Sequence, residues 1–234
     1  MLECPYGTIL LLGPPGSGKS TLVHGISNDY KNIKTFGVRR QMLIEMAEES
    51  KLGQALHEYI LNNPQAPLLP VHLVRELFTR FVSELHPNDM AFIEGFPVNK
   101  RQSEILTTVL GTNNRKLDFI VVLQCKQEIL RIRTKIRRTC TNCSAKGVIE
   151  PIYPDNIDMC PSCGHPLSQR PDDVDDIVSH RIRRYLREKR GILSRFTNTP
   201  VYEIDTRNSI DVVRKNFLDF LTGYASSRNS TPIE

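Results

Sequence analysis

The feature that most constrains this chain is a glycine-rich break set between two regular segments near its start. Thr8-Ile-Leu-Leu-Leu12 is β-branched and aliphatic, the composition of a strand buried on both faces. Gly13-Pro-Pro-Gly-Ser-Gly-Lys-Ser20 follows at once and fits the G-x-x-x-x-G-K-[ST] pattern at every defined position. Helical character resumes over Lys19–Ser27. Glycines in such a loop let backbone N–H groups converge on phosphate oxygens that side chains would obstruct. The helix start brings the positive end of its dipole to the same anion. Gly13, Pro14, Pro15, Gly16, Ser17 and Gly18 are therefore the candidate ATP cradle. Lys19 would reach the outer phosphates, Ser20 would offer its hydroxyl to Mg²⁺, and Thr21 supports the turn. A glycine turn without a ligand is the bland alternative, and a full match between strand and helix argues against it. The loop points to phosphate; it does not choose the reaction.

Four of the six cysteines form two Cys-x-x-Cys pairs, Cys140 with Cys143 and Cys160 with Cys163. Their separation lies in the range of four-cysteine zinc sites. No secretory signal opens the sequence, and without one such pairs favour metal over disulfides. Four thiolates leave no open coordination position, so the ion is expected to be structural, zinc in preference to iron. It would staple Thr139–Arg170, a stretch rich in Pro, Asp, Asn and Ser that cannot bury a core of its own. Two alternatives are a zinc ribbon that binds nucleic acid and a site using His165 in place of Cys163. Cys4 and Cys125 have no neighbouring partner and read as small packing residues.

Elsewhere strands and helices alternate. Amphipathic segments lie near Val38–Glu48, Gly53–Leu61 and Pro70–Leu85, the last with Leu73, Val74, Leu77, Phe78 and Phe81 on one stripe. Met90–Ile93 reads as a strand closed by Glu94-Gly-Phe-Pro97, followed by a helix over Lys100–Leu110 and a strand over Asp118–Leu123. A basic helix, Lys126 to Arg138, leads into the cysteine insertion. A charged helix over Asp173–Lys189, a strand at Val201–Ile204 and a helix at Ile210–Leu221 come last, with fraying expected from Gly223. This order predicts an α/β fold with a parallel sheet covered on both faces, in one domain with insertions. No apolar run reaches eighteen residues, so a cytoplasmic protein without a membrane span is expected. The net charge of +5, with arginines clustered from Arg131 to Arg195, suits either nucleic acid or a small polyanion such as ATP. Few aromatics interleave with those arginines, Tyr185 and Phe196 lying near the cluster, too few for a base-stacking platform, so nucleic acid is not expected as a partner.

The loop, Glu94-Gly-Phe-Pro97 with Gln102, Arg133 and Arg137, and the run from Cys160 through Arg170 to Asp173 occur in that order. Together they resemble the adenylate kinase family in its long-lid, four-cysteine form, over about Thr8 to Leu221. The resemblance implies the P-loop nucleoside monophosphate kinase fold, a parallel five-stranded sheet with helices on both faces plus a zinc lid. It divides the chain into a core (1–32, 70–138 and 174–222), a monophosphate-binding segment (33–69), a lid (139–173) and a flexible tail (223–234). It implies a monomer that moves the γ-phosphoryl group of ATP to AMP with Mg²⁺. Kinases for CMP, UMP or GMP are close alternatives, and a P-loop ATPase whose zinc lid binds nucleic acid is a more distant one. By the same resemblance Lys19, Arg133, Arg137, Arg170 and Arg181 grip the transferring phosphates, and Thr35, Arg40, Leu69, Val74 and Gln102 hold the monophosphate. Glu94 and Ser20 would order Mg²⁺ and its waters, and Asp172 and Asp173 would close the lid. Asp175, Asp176, Arg131, Arg138, Arg183, Arg184 and Arg187 read better as helix surface and dipole complements.

Several positions depart from the family pattern. Val98 stands where an Arg usually contacts the monophosphate, with Lys100 and Arg101 one turn away. Glu94 replaces an Asp, Thr35-Phe36-Gly37 replaces Thr-Gly-Asp, and Ser20 replaces a common Gly. Most of these changes fall on the acceptor side.

Overall fold

The computed structural model describes residues 7–27, 29–63, 68–145, 152 and 158–229. The expectations for Cys4, for most of the lid interior and for the last five residues lie outside that set. The chain runs through β1 (Gly7–Leu12), the glycine loop, α1 (Lys19–Ser27), β2 (Ile33–Gly37), α2 (Val38–Ala47), α3 (Lys51–Asn62) and α4 (Val71–Ser83). Next come β3 (Met90–Glu94), α5 (Lys100–Thr112), β4 (Phe119–Gln124) and α6 (Gln127–Ile136). The insertion contributes β5 (Thr139–Cys140), α7 (Thr141–Ala145), β6 (Leu167–Ser168) and a 3-10 turn over Pro171–Asp173. α8 (Asp175–Leu193), β7 (Val201–Asp205) and α9 (Ile210–Asn229) follow.

Five strands form one parallel sheet in the order β2-β3-β1-β4-β7. β1 sits at its centre and is buried throughout, as its unbroken aliphatic run requires. Its residues divide by alternation. Leu10 and Leu12 face a cluster with Phe36, Phe78, Phe96 and Leu106, whereas Ile9 and Leu11 face one with Leu22, Val23, Ile26 and Phe217. Helices α4 and α5 and the end of α8 therefore cover one face, and α1 and α9 the other. The stripe of α4 is buried as its spacing predicts. The chain carries the P-loop nucleoside monophosphate kinase fold. Among the described residues no helix is long and apolar enough to cross a membrane.

Residue patterning located four of the five strands. β2 escaped it because an edge strand of five residues, with Lys34 exposed, has too little alternation to register. Phe36 anchors it, fully buried with its ring 4.9 Å from Phe78, 5.3 Å from Phe81 and 5.7 Å from Phe96. The last helix also corrects an expectation: α9 does not fray at Gly223 but continues to Asn229. Tyr224 explains why. Its ring packs 4.8 Å from that of Phe119, and its hydroxyl donates to Asp118 at 3.2 Å. Phe220 stacks on Tyr202 at 4.2 Å one turn earlier. These aromatic anchors hold a segment that looks merely polar in sequence.

Candidate active site

The glycine loop wraps the C-terminal end of β1, where an open parallel sheet leaves a crevice for ligands. Packing dictates its residues. Gly16 has φ +80°, and a Cβ there would lie 2.8 Å from the carbonyl oxygen of Leu130 on α6. A Cβ on Gly13 would sit 2.5 Å from Ser17 Oγ. Lys19 Nζ curls over the loop and donates to the carbonyls of Gly13 (2.7 Å) and Pro14 (2.9 Å) and to Ser17 Oγ (3.3 Å). Burial draws the pKa of its ammonium down to about 8, with Glu94 opposing that shift and Arg181 and Arg137 adding to it. The Ser20 hydroxyl donates to the Glu94 carboxylate at 2.9 and 3.1 Å. The two groups expected to share Mg²⁺ duty thus meet. Burial pushes the Glu94 carboxyl upward, against Lys19, the Ser20 hydroxyl, Arg170 and Arg40.

Over this loop the base of the lid gathers four guanidinium groups around two carboxylates. Arg137 holds Asp173 by a two-pronged contact, Nε and Nη2 each 2.5 Å from a carboxylate oxygen, out of solvent. Arg181 pairs with Asp172 at 2.5 Å, and Arg39 of α2 approaches the other Asp172 oxygen at 3.6 Å. Burial would raise the Asp172 carboxyl, yet Arg181, Arg39, Arg137 and Arg170 outweigh it and hold the group below its ordinary value. Arg170 is left over. Its Nε is buried with no hydrogen-bond partner, and its pKa is lowered to about 10 by burial and then by Arg137 and Arg39. A buried guanidinium nitrogen without a partner is costly, and a polyanion could complete it. Arg133 goes elsewhere. Although one turn from Arg137, it donates to the Thr206 carbonyl at 2.7 Å and faces Cys125 Sγ at 3.8 Å. Arg131 pairs with Asp175 on the surface.

The residues expected to hold the monophosphate lie across the crevice. Thr35 sits half-buried on β2, and Arg40 is exposed in the first turn of α2. Val74 is buried and Leu69 partly buried against the phenylalanine cluster. Gln102 is buried, and its Oε1 accepts the Val98 backbone N–H at 2.9 Å while Asn99 caps the same helix start.

In the lid, the four expected cysteines converge. Their sulfurs all lie within 4.8 Å of one another, with Cys140–Cys163 and Cys143–Cys163 at 3.4 Å and Cys143–Cys160 at 3.7 Å. A tetrahedral zinc with bonds of about 2.3 Å needs sulfur edges of about 3.8 Å, so the donor set fits that ion. Each pair forms a knuckle turn. Cys143 N–H donates to Cys140 Sγ (3.4 Å), and Gly164, at φ +71°, donates to the Cys160 carbonyl (2.9 Å). His165 contributes its backbone carbonyl to Cys160 N–H and its ring is not in the sulfur cluster, so it does not replace Cys163.

A family model described as adenylate kinase matches residues 11–201. The chain belongs to the adenylate kinase family. It is 31% identical over 223 residues to an adenylate kinase from Clostridioides difficile (strain 630), covering 94% of this chain and 99% of that protein. An adenylate kinase from Thermotoga maritima is 29% identical over 202 residues, with 82% and 90% covered. One from Archaeoglobus fulgidus is 29% identical over 212 residues, with 88% and 94% covered.

Within an adenylate kinase fold, two of the sequence departures turn out to face each other. β2 and β3 pair Gly37 with Glu94, and a Cβ on Gly37 would lie 3.5 Å from Glu94 Cγ and 3.6 Å from its Oε1. An acid at position 37 would bring a second carboxylate to a buried one, a like-charge contact that glycine avoids. The longer acid at 94 thus goes with the loss of the acid at 37. Val98 has no such local answer. Lys100 and Arg101 are exposed, and Lys100 leaves the start of α5 on the side of Gly191 in α8. Arg39 is the functional candidate that residue patterning passed over. Its signal was the doublet with Arg40, in which only the second arginine matches the family.

Proposed function

We propose that this protein transfers the γ-phosphoryl group of ATP to a nucleoside monophosphate, with AMP as the first acceptor to consider. One observation carries the reading: Arg170, with a buried and unpartnered Nε, stands beside Arg137 and Arg181 above the glycine loop. A slow ATPase needs no such excess of guanidinium, whereas in-line transfer between two phosphates collects charge on oxygens that arginines can stabilise. Lys19 would leave its carbonyl contacts for the β- and γ-phosphates, and the loop amides would fix the donor. Arg137, Arg170 and Arg181 would then draw the lid base onto the transferring group and exclude water as competing acceptor. Ser20, with Glu94 beside it, would hold the Mg²⁺ that accompanies ATP, an ion that would supply charge neutralisation at the phosphates. Arg40 and Thr35 would take the acceptor phosphate, with Val74, Leu69 and Gln102 around its base. The names of the relatives favour AMP, and Val98, Gly37 and Glu94 are why CMP, UMP and GMP belong in the same test.

A structural zinc in the four-thiolate knuckle accompanies this reading, because soft sulfur donors with closed tetrahedral spacing select zinc and leave no catalytic position. A monomer working in the cytoplasm is the corresponding expectation. The decisive experiment is a coupled transfer assay with ATP and Mg²⁺ against each common monophosphate. Transfer to AMP above the other acceptors supports the proposal. ATP hydrolysis stimulated by nucleic acid, with transfer to none of them, would sink it.

A further inference from the structure

We propose that Arg39 binds the phosphate of the acceptor monophosphate, supplying the guanidinium that Val98 does not. The inference rests on the kinase reading. Its first support is position. Arg39 lies in the first turn of α2, two residues beyond Gly37, whose strand pairs with β3 at Glu94, and Glu94 in turn bonds Ser20 of the glycine loop. A guanidinium there overlooks the same crevice end as the ATP phosphates. α2 also packs against α7 of the cysteine knuckle, so Arg39 stands at the seam between the monophosphate segment and the lid.

Its second support is how loosely it is held. Arg39 reaches Asp172 Oδ1 at 3.6 Å, an ionic approach too long for a good hydrogen bond, and that buried oxygen has no hydrogen-bond partner. The Arg39 side chain remains 44% exposed, whereas Arg137 is 10% exposed and locked on Asp173. Arg39 is therefore the lid-base cation most able to change partner. Its third support is the local charge. Arg39 repels Arg170, so an incoming phosphate dianion would relieve both arginines where Asp172 satisfies neither completely. In the absence of acceptor, Asp172 parks the Arg39 side chain. When the phosphate arrives, Arg39 joins Arg40 on it, and Asp172 keeps Arg181.

Steady-state kinetics with each substrate varied against the other at saturation would test this on the wild type, Arg39→Leu, Arg39→Lys and the double variant Arg39→Leu/Val98→Arg. Loss of one charge-assisted phosphate contact should raise the acceptor KM about tenfold or more in Arg39→Leu. The ATP KM should stay within about twofold. Arg39→Lys should recover part of the loss, and Val98→Arg in the leucine background should bring the acceptor KM back toward wild type. Calorimetric binding of AMP should follow the same order without turnover. An unchanged acceptor KM in Arg39→Leu overturns the assignment. Equal rises in both KM values overturn it too, since they mark a lid latch, as does failure of Val98→Arg to rescue. A wild type that phosphorylates no monophosphate is a separate result, which removes the kinase reading and this inference with it.

Discussion

At the end of the crevice proposed for the donor the surface is backbone. Gly16 leaves no room for a side chain against the Leu130 carbonyl, Gly13 leaves little against Ser17 and Leu123, and the loop amides and the start of α1 would do the rest. At the end proposed for the acceptor the surface is side chain. Arg39 and Arg40 stand exposed on the first turn of α2, Thr35 is half-buried at the edge strand, and Val98 presents no charge. A site made of backbone tolerates few residue choices where a substitution meets other backbone, as at Gly16 against the Leu130 carbonyl. A site made of long side chains can pass a charge from one element to another, since a guanidinium reaches several ångströms and many origins bring it to the same point. The departures from the family pattern gather on the second kind of surface for that reason.

The largest effect should come from the donor end. Lys19→Met removes the ammonium that bonds the loop carbonyls and should lower kcat about a thousandfold at every acceptor, measured at saturating ATP. If only the acceptor KM changed, the donor assignment of the loop would be wrong. Next in size is the knuckle. Cys143→Ser should carry well below one zinc per chain by elemental analysis and lose at least about a hundredfold in metal affinity. Transfer should fall with it, because α7 then no longer presents a fixed surface to α2. Full zinc retention would overturn the four-cysteine assignment. The smallest effect is a difference in pH response between the two ends. Lys19 titrates near pH 8 in the free protein, and its charged form, the one that grips phosphate, is lost as pH rises. The value of kcat/KM for ATP should therefore drop about tenfold between pH 8 and pH 9 or slightly above. The acceptor's kcat/KM at saturating ATP should hold over the same range, because guanidinium groups stay charged. Parallel declines at both ends would remove the contrast.

Much of the donor end was readable from residue order, because its signals are local. The loop's eight positions are contiguous, and each cysteine pair closes a turn of its own. The buried run of β1 and the stripe of α4 follow from periodicity alone. The acceptor end was readable only in pieces. Arg40 and Gln102 match a pattern, but nothing in their neighbourhood reveals that the Gln102 Oε1 accepts the Val98 N–H. Arg133 and Arg137 share a helix face in sequence, and yet their guanidinium groups part, one to Thr206 and the other to Asp173. Helical spacing gives where a side chain starts, whereas its partner sets where it ends.

The sequence by itself determined that a phosphate loop would sit between a buried strand and a helix, and that four thiolates would form a knuckle in an insertion. Both rest on short contiguous patterns, one loop and two Cys-x-x-Cys pairs, where steric limits and ligand chemistry leave little choice. Only the tertiary structure decided that Ile33–Gly37 joins the sheet as its edge, since that strand exists by pairing with β3 and by seating Phe36 among three other rings. The same holds for the helix that continues past Gly223 on Tyr224, for the facing of Gly37 and Glu94, and for the approach of Arg39 to Asp172. Each joins residues far apart along the chain, and packing and charge between distant segments have no local imprint.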